Sequence, residues 1–218
     1  MSVTDNGVAR PVDKKQDEVG IRLQRAALEL FRARGYDFTT AAEIAALAGV
    51  TERTFFRYFQ DKKEVLFVGE ARLREALAAS MANAPDDLGP IDTLYRAFRS
   101  VHPALENNRP FSAPRHEIIT NTPALQEREL AKMAALADAL TEALKARGVA
   151  ELQAVLAART GMAAFVYATV SWLEDPAFSL DERLELAFRE LKMMVTNARH
   201  LSSGRRAKPT RSRPKARG

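Results

Sequence analysis

The chain has 218 residues, 33 of them Lys or Arg and 28 Asp or Glu, and it has no cysteine. With 46% hydrophobic and 28% charged residues it has a globular make-up, which excludes a disordered chain, and the missing cysteine excludes disulfide staples and thiolate metal sites. The formal charge of +5 is local: residues 205–218 hold seven cations and no acid, which leaves 5 − 7 = −2 for residues 1–204.

Met1 to Gly20 is polar and lacks the apolar core of a secretory signal. Alanine supplies 38 residues and β-branched runs are scarce, so helices are favoured over strands throughout. Leu23, Ala26, Ala27, Leu30 and Phe31 fall on one face of a first helix, which stops at Gly35, a residue suited to the left-handed C-cap. Thr40-x-x-Glu43 is a capping box that opens a short second helix, with Ile44, Ala45 and Ala48 on its inner face. Gly49 breaks that helix, and Thr51 caps a third one, from which Phe55 and Phe59 point to one side.

A fourth helix is predicted from about Lys62 to Met81, ended by the Ala84-Pro85-Asp86-Asp87 cluster. Ile91, Leu94, Tyr95 and Phe98 mark a fifth that stops near Pro103. Pro110 and Pro114 leave room only for a short sixth helix around Arg115 to Thr120. Thr122-Pro123 starts a seventh, running through Leu130, Met133, Leu140 and Leu144 to Gly148. The apolar stretch from Glu151 to Glu174 is an eighth. It has the length of a membrane span, but Gln153, Arg159, Thr160, Thr169 and Ser171 make it a poor one and favour a buried core helix. Ser179-x-x-Glu182 is a second capping box and opens a ninth helix with Leu184, Ala187, Phe188, Leu191 and Val195 on one face. From Ser202 the chain is rich in Pro, Gly, Ser and basic residues. The sequence reads as all-α.

Residues 39–63 carry the functional signal. A helix of eight or nine residues, a tight turn at Ala48-Gly49-Val50 and a second short helix make a helix-turn-helix, whose second helix enters the DNA major groove. Gly49 supplies the left-handed turn, the small Ala45 and Ala48 allow close approach, and Ile44, Val50, Phe55 and Phe59 fix the interhelical angle. Glu52, Arg53, Thr54, Phe56, Arg57 and Tyr58 are left on or near the outer surface.

Phe31-x-x-x-Gly35-Tyr36, Thr39-Thr40, Ile44-Ala45-x-x-Ala48-Gly49-Val50, Thr54-Phe55-Phe56-x-Tyr58-Phe59 and Lys62-Lys63-x-x-Leu66 together resemble the TetR family of bacterial repressors. The resemblance covers Leu23 to Leu66 and implies a homodimeric repressor that leaves a palindromic operator when a small molecule enters its C-terminal domain. On the matching positions it implies that Thr40 and Thr51 cap helices and touch phosphates, and that Thr54, Tyr58 and Lys62 hold the DNA backbone. Lys62, at the head of the predicted fourth helix, would gain from the helix dipole there. Arg53 and Arg57 become candidates for base or nearby phosphate contacts, a bidentate arginine–guanine pair being worth ~1–3 kcal/mol of discrimination. Two departures stand out: Phe56 replaces the tyrosine more usual in the family, leaving only apolar contact such as with a thymine methyl, and Ala41 replaces a larger valine.

For the sensor the resemblance implies a pocket among helices four to eight and a dimer interface on helices eight and nine. Tyr95, Phe98, His102, Met133, Met162, Phe165 and Thr169 are the candidate lining, suited to a hydrophobic or acyl-chain-like effector with Tyr95, His102 and Thr169 as polar anchors. The same residues at helical spacing equally read as plain core. The expected division is an N-terminal arm (1–18), a DNA-binding domain (19–68), a sensor and dimerisation domain (69–201) and a basic tail (202–218) that adds nonspecific DNA attraction. A cytoplasmic setting is expected, with no membrane partner, metal or cofactor.

Two other function classes are weaker. A constitutive, nucleoid-type DNA-binding protein would use the basic tail and need no effector. An enzyme is disfavoured: His116-Glu117 begins the zinc-binding H-E-x-x-H, but Thr120 stands at the second histidine, and neither a phosphate-binding glycine loop nor a serine nucleophile elbow is present.

Overall fold

The computed structural model describes the backbone of residues 11–203 and the side chains of residues 18–194. The described residues are all helical: α1 (Pro11–Arg34), α2 (Ala41–Leu47), α3 (Glu52–Tyr58), a 3-10 turn (Glu64–Leu66), α4 (Glu70–Ala82), α5 (Pro90–Asn107), α6 (Arg109–Thr120), α7 (Pro123–Ala146), α8 (Glu151–Glu174) and α9 (Leu180–Ser203). Helix α1 begins at Pro11, so residues 11–18 of the expected arm are helical. Of the expected basic tail, residues 204–218 lie outside the described residues.

Local chemistry explains most helix ends. The backbone amide of Gly35 closes on the Phe31 carbonyl with φ at +88°, a conformation that strains any residue with a Cβ. The Thr40 capping box is complete: its hydroxyl accepts from the Glu43 amide while the Glu43 carboxylate accepts from the Thr40 amide. Ser179 and Glu182 make the same reciprocal pair ahead of α9.

Three expected elements are corrected. Lys62 does not head a helix. The Asp61 carboxylate accepts from the amides of Lys63 and Glu64 and turns the chain into the 3-10 segment, and α4 starts only after Gly69, which sits at φ +90°. Pro103 does not end α5, which continues to Asn107. A proline inside a helix leaves the carbonyl four residues earlier without its donor; here that carbonyl, Arg99 O, accepts from His102 Nδ1 at 2.6 Å. The sixth helix is longer than its prolines suggested: Pro110 falls in the first turn of α6, where a missing N–H costs little, and Pro114 is absorbed inside.

Two hydrophobic clusters organise the chain. The first gathers Leu23, Ala27 and Phe31 of α1 with Ile44, Phe55, Phe59 and Val65, and it takes in Ile118, Ile119 and Leu125 from α6 and α7. The second fills the sensor with Leu94 and Phe98 of α5, Leu140 and Leu144 of α7, Met162 and Phe165 of α8, and Leu184 and Phe188 of α9. Helix α8 packs on both α7 and α9. At Gly161, where an added Cβ would lie 2.9 Å from Leu94 Cδ1, α8 comes against α5. Among the described residues α8 has the length and mean hydropathy, 1.3, of a possible membrane span, but Ala154, Ala158, Phe165 and Ala168 face the protein core. Leu130 of α7 is 71% exposed.

The two clusters meet at a charged junction of α6, α7 and the start of α4. There burial, and the neighbouring Arg115 guanidinium, push the Lys132 ammonium down to about 8 despite its ion pair with Glu129. A lysine whose folded pKa lies below its unfolded value of 10.5 binds fewer protons when folded, so its cost to stability lessens as pH rises through that window. Relative to Lys132→Met, the native chain is therefore expected to gain about 1 kcal/mol of unfolding free energy between about pH 7 and 9, read by urea melts of both proteins. A pH-independent difference would show that Lys132 titrates normally.

Candidate functional site

Helices α2 and α3 cross around Gly49, whose φ is +69°. The amide of Val50 returns to the Ala45 carbonyl and fixes the turn. Ile44, Ala45 and Phe55 are fully or almost fully buried, with Phe59 beside them and the Phe55 and Phe59 rings 5.4 Å apart. Since α3 is anchored by that face, its opposite face is presented rigidly to solvent.

That outer face holds the expected DNA-reading residues. Thr51 caps α3 by accepting from the Thr54 amide at 3.2 Å, and the two threonine hydroxyls are hydrogen-bonded to each other at 3.0 Å. Arg53 and Arg57 are exposed and form no ion pair among the described residues; Arg57 lies over the Tyr58 ring at 5.4 Å. Phe56 is 51% exposed, its ring held edge-on by Phe55. Tyr58 is half-buried and leans toward Gly20 of α1, so it covers a groove as well as bordering the surface. Thr51→Ala is expected to lower stability by about 1 kcal/mol through loss of the cap, seen as a lower urea midpoint.

Thr40 caps α2 as expected, and Lys62 sits differently from expectation. The hydroxyl and amide of Thr40 are both engaged with Glu43, whose carboxyl is held below its usual range by the Thr40 backbone and hydroxyl and by Arg34. The Lys62 ammonium donates to the carbonyls of Tyr36 at 2.8 Å and Thr39 at 3.0 Å and lies 4.3 Å from the Tyr36 ring. It ties the α1–α2 corner to the end of α3, and the helix-dipole contribution expected at that position is absent because α4 begins eight residues later, at Glu70. Asp61 is a further structural residue of this corner, and Asp61-x-x-Glu64 carries the same spacing as the two capping boxes, the one local signal for it in the sequence.

Five of the seven candidate pocket residues gather in the sensor core. Phe98 and Phe165 stack with centroids 4.3 Å apart, Met162 is buried in the same cluster, and Tyr95 and Met133 pack against it. They form a packed core, and the two clefts between the units, of 480 and 640 Å³, include none of them. His102 is occupied by the Arg99 carbonyl. Thr169 Oγ1 is buried without a hydrogen-bond partner, as is Arg109 Nε, whose guanidinium lies 5.5 Å from the Trp172 ring and donates to the Leu173 carbonyl one turn along α8.

Known proteins resemble this one at both ends. Residues 23–68 match the family described as bacterial regulatory proteins, tetR family, and residues 88–196 match the MftR C-terminal domain. The HTH-type transcriptional regulator TcmR of Streptomyces glaucescens is 41% identical over 80 residues, 37% of this chain and 35% of TcmR, so this chain aligns with about a third of that protein's length. The putative mycofactocin biosynthesis transcriptional regulator MftR of Mycobacterium tuberculosis (strain ATCC 25618 / H37Rv) is 24% identical over 81% of this chain and 91% of its own. Among solved structures, Thermus thermophilus FadR, a TetR-family transcriptional repressor in complex with lauroyl-CoA, has a TM-score of 0.53 at 27% identity, covering 91% of this chain and all 100% of FadR. Native NalD, a repressor of a Pseudomonas aeruginosa multidrug efflux pump, shares the fold with a TM-score of 0.56 at 23% identity, over 80% of this chain and 96% of NalD. With the helix-turn-helix at its N-terminus and an all-helical sensor behind it, this chain belongs to the TetR family of bacterial transcriptional regulators.

Proposed function

We propose that the chain is a homodimeric repressor that grips a palindromic operator with α3 and releases it when a small hydrophobic effector enters the sensor core. The observation that carries the DNA half is the outer face of α3: two unpaired arginines, Thr54 and Phe56, displayed on a helix whose other face is locked by Phe55. Arg53 reads a base edge and Arg57 holds a phosphate close to it. Arg53→Ala is then expected to weaken the preferred site by ~1–3 kcal/mol and to relax its sequence preference, while Arg57→Ala weakens all sequences alike and lowers the salt slope by about one. Uniform weakening by Arg53→Ala would make that residue a phosphate contact.

Dimerisation is supported by an apolar face that the single chain leaves open. On α8, Leu152, Leu156 and Tyr167 share one side and are 73%, 58% and 59% exposed; on α9, Leu186 and Met194 are 40% and 64% exposed. A second copy related by a two-fold axis covers both stripes with the same stripes, as an isologous four-helix contact.

The effector is an acyl-chain-like molecule. Its support is the lauroyl-CoA held by T. thermophilus FadR, together with a sensor core of stacked aromatics and methionine that contains the unsatisfied Thr169 hydroxyl and, beside Trp172, the unsatisfied Arg109 Nε. Entry requires the Phe98–Phe165 stack to part. Titrating lauroyl-CoA into the operator complex tests this. Release of DNA at saturable concentrations is expected, and no release by lauroyl-CoA or by free acyl chains would reject an acyl effector. Such a regulator works in the cytoplasm, where its DNA is.

A further inference from the structure

The DNA-binding unit joins α4 through Phe67, Val68 and Gly69. Gly69 stands at φ +90°, with nothing within 4 Å of an added Cβ, so no side chain packs against Gly69 itself. What surrounds the joint is charged. Arg128 of α7 donates from Nε and Nη2 to both oxygens of Glu64 at 3.1 and 3.3 Å, and from Nη2 to Glu70 at 3.0 Å. Thus one guanidinium spans the joint, holding the 3-10 turn on one side and the first residue of α4 on the other. Arg115 of α6 donates to the Leu66 carbonyl and pairs with Glu129, which also accepts from Lys132. Both guanidiniums lie over the Phe67 ring, at 5.0 and 4.6 Å, and Phe67 is buried.

The six charged groups balance, three cations against three carboxylates, with side chains only 13% to 29% exposed. Ion pairs so shielded from solvent hold geometry firmly, since a partner lost from one leaves a charge stranded away from water. A guanidinium forked onto carboxylates also fixes direction as well as distance, which a lysine ammonium does not. None of the six is on α3, and none lies in the sensor core.

We propose that Arg128, backed by Arg115, is a positioning residue: it latches Glu64, Phe67 and Glu70 to helices α6 and α7 and so sets the angle at which the sensor presents α3 to DNA. The latch stands on contacts within one chain and depends neither on the identity of the effector nor on the dimer. A movement of α6 against α7 separates Arg115 from Arg128, and both hold Phe67, so the joint must follow.

The absence of native cysteine makes site-specific spin labelling direct. The full chain carrying Gln60→Cys, at the end of the recognition unit, and Glu142→Cys, on the outer part of α7, is labelled and diluted with unlabelled protein so that distances within one chain dominate. The native latch is expected to give one narrow distance distribution. Arg128→Gln should broaden or displace it, and so should the isosteric Glu64→Gln, with circular dichroism unchanged at the measuring temperature. Arg128→Lys, which keeps the charge without the fork, should restore the mean but leave the distribution wider. Combining Glu64→Gln with Arg128→Gln should add little to either alone. A distribution that stays narrow in Arg128→Gln and Glu64→Gln overturns the proposal, as does broadening that appears only in step with loss of helical signal.

Discussion

Phe55→Ala is expected to cost about 3–5 kcal/mol and to melt the DNA-binding unit before the rest of the chain. Phe55 is fully buried and meets Phe56 and Phe59 on its own helix and the α1–α2 core on the other side. Its loss opens a cavity at the crossing of two helices of only seven residues each, which have little stability apart from that contact. The sensor has its own cluster built on α5, α7, α8 and α9, so it should keep its cooperative transition. The expected urea profile has an early step, followed by a later one near the native midpoint, and DNA binding disappears with the first. One undivided transition, shifted only slightly, would mean that Phe55 is less central to the packing than its burial indicates.

Leu156→Glu should separate the proposed dimer. Leu156 is exposed in the single chain, so the substitution leaves the monomer fold intact. Across a two-fold contact it would set two carboxylates into an apolar interface. Sedimentation equilibrium is expected to show monomers, and affinity for a palindromic site should fall by about a hundredfold or more, because each half-site is then held without the other. Retention of the native mass by Leu156→Glu would move the interface away from this face of α8.

The recognition unit was readable from sequence because its signals are local. Gly35 and Gly49 need positive φ, the threonine caps bond residues three apart, and the apolar positions repeat at helical spacing; each depends on neighbours within a few residues. The prolines misled for the opposite reason. Pro103 looks like a stop until His102 satisfies the carbonyl it orphans, and Pro114 until tertiary packing of Ile118 and Ile119 carries α6 through it. The Lys62-Lys63-x-x-Leu66 pattern runs smoothly toward α4 and so predicts a helix start at Lys62, whereas Asp61 turns the chain into a separate 3-10 segment first. The Arg115, Arg128 and Glu64 junction had no signal at all: these residues are up to 64 positions apart and look like ordinary surface charge until the helices bring them together.

A body of −2 is no obstacle to the proposed DNA contact through one face of α3, where Arg53 and Arg57 form no ion pair among the described residues, while many of the other cations are spent internally, on Glu43, Asp181, Glu129 and Glu64. Net charge averages over those two populations and so carries little information about the site.

Whether α3 of a two-fold dimer reads a specific sequence is settled by selecting bound duplexes from a random-sequence pool with the full chain at physiological salt and excess nonspecific competitor. Enrichment of one inverted repeat is expected, with half-sites about one helical turn apart, centre to centre, or a multiple of it. A bound pool with no enriched motif, retained in proportion to charge alone, would contradict it.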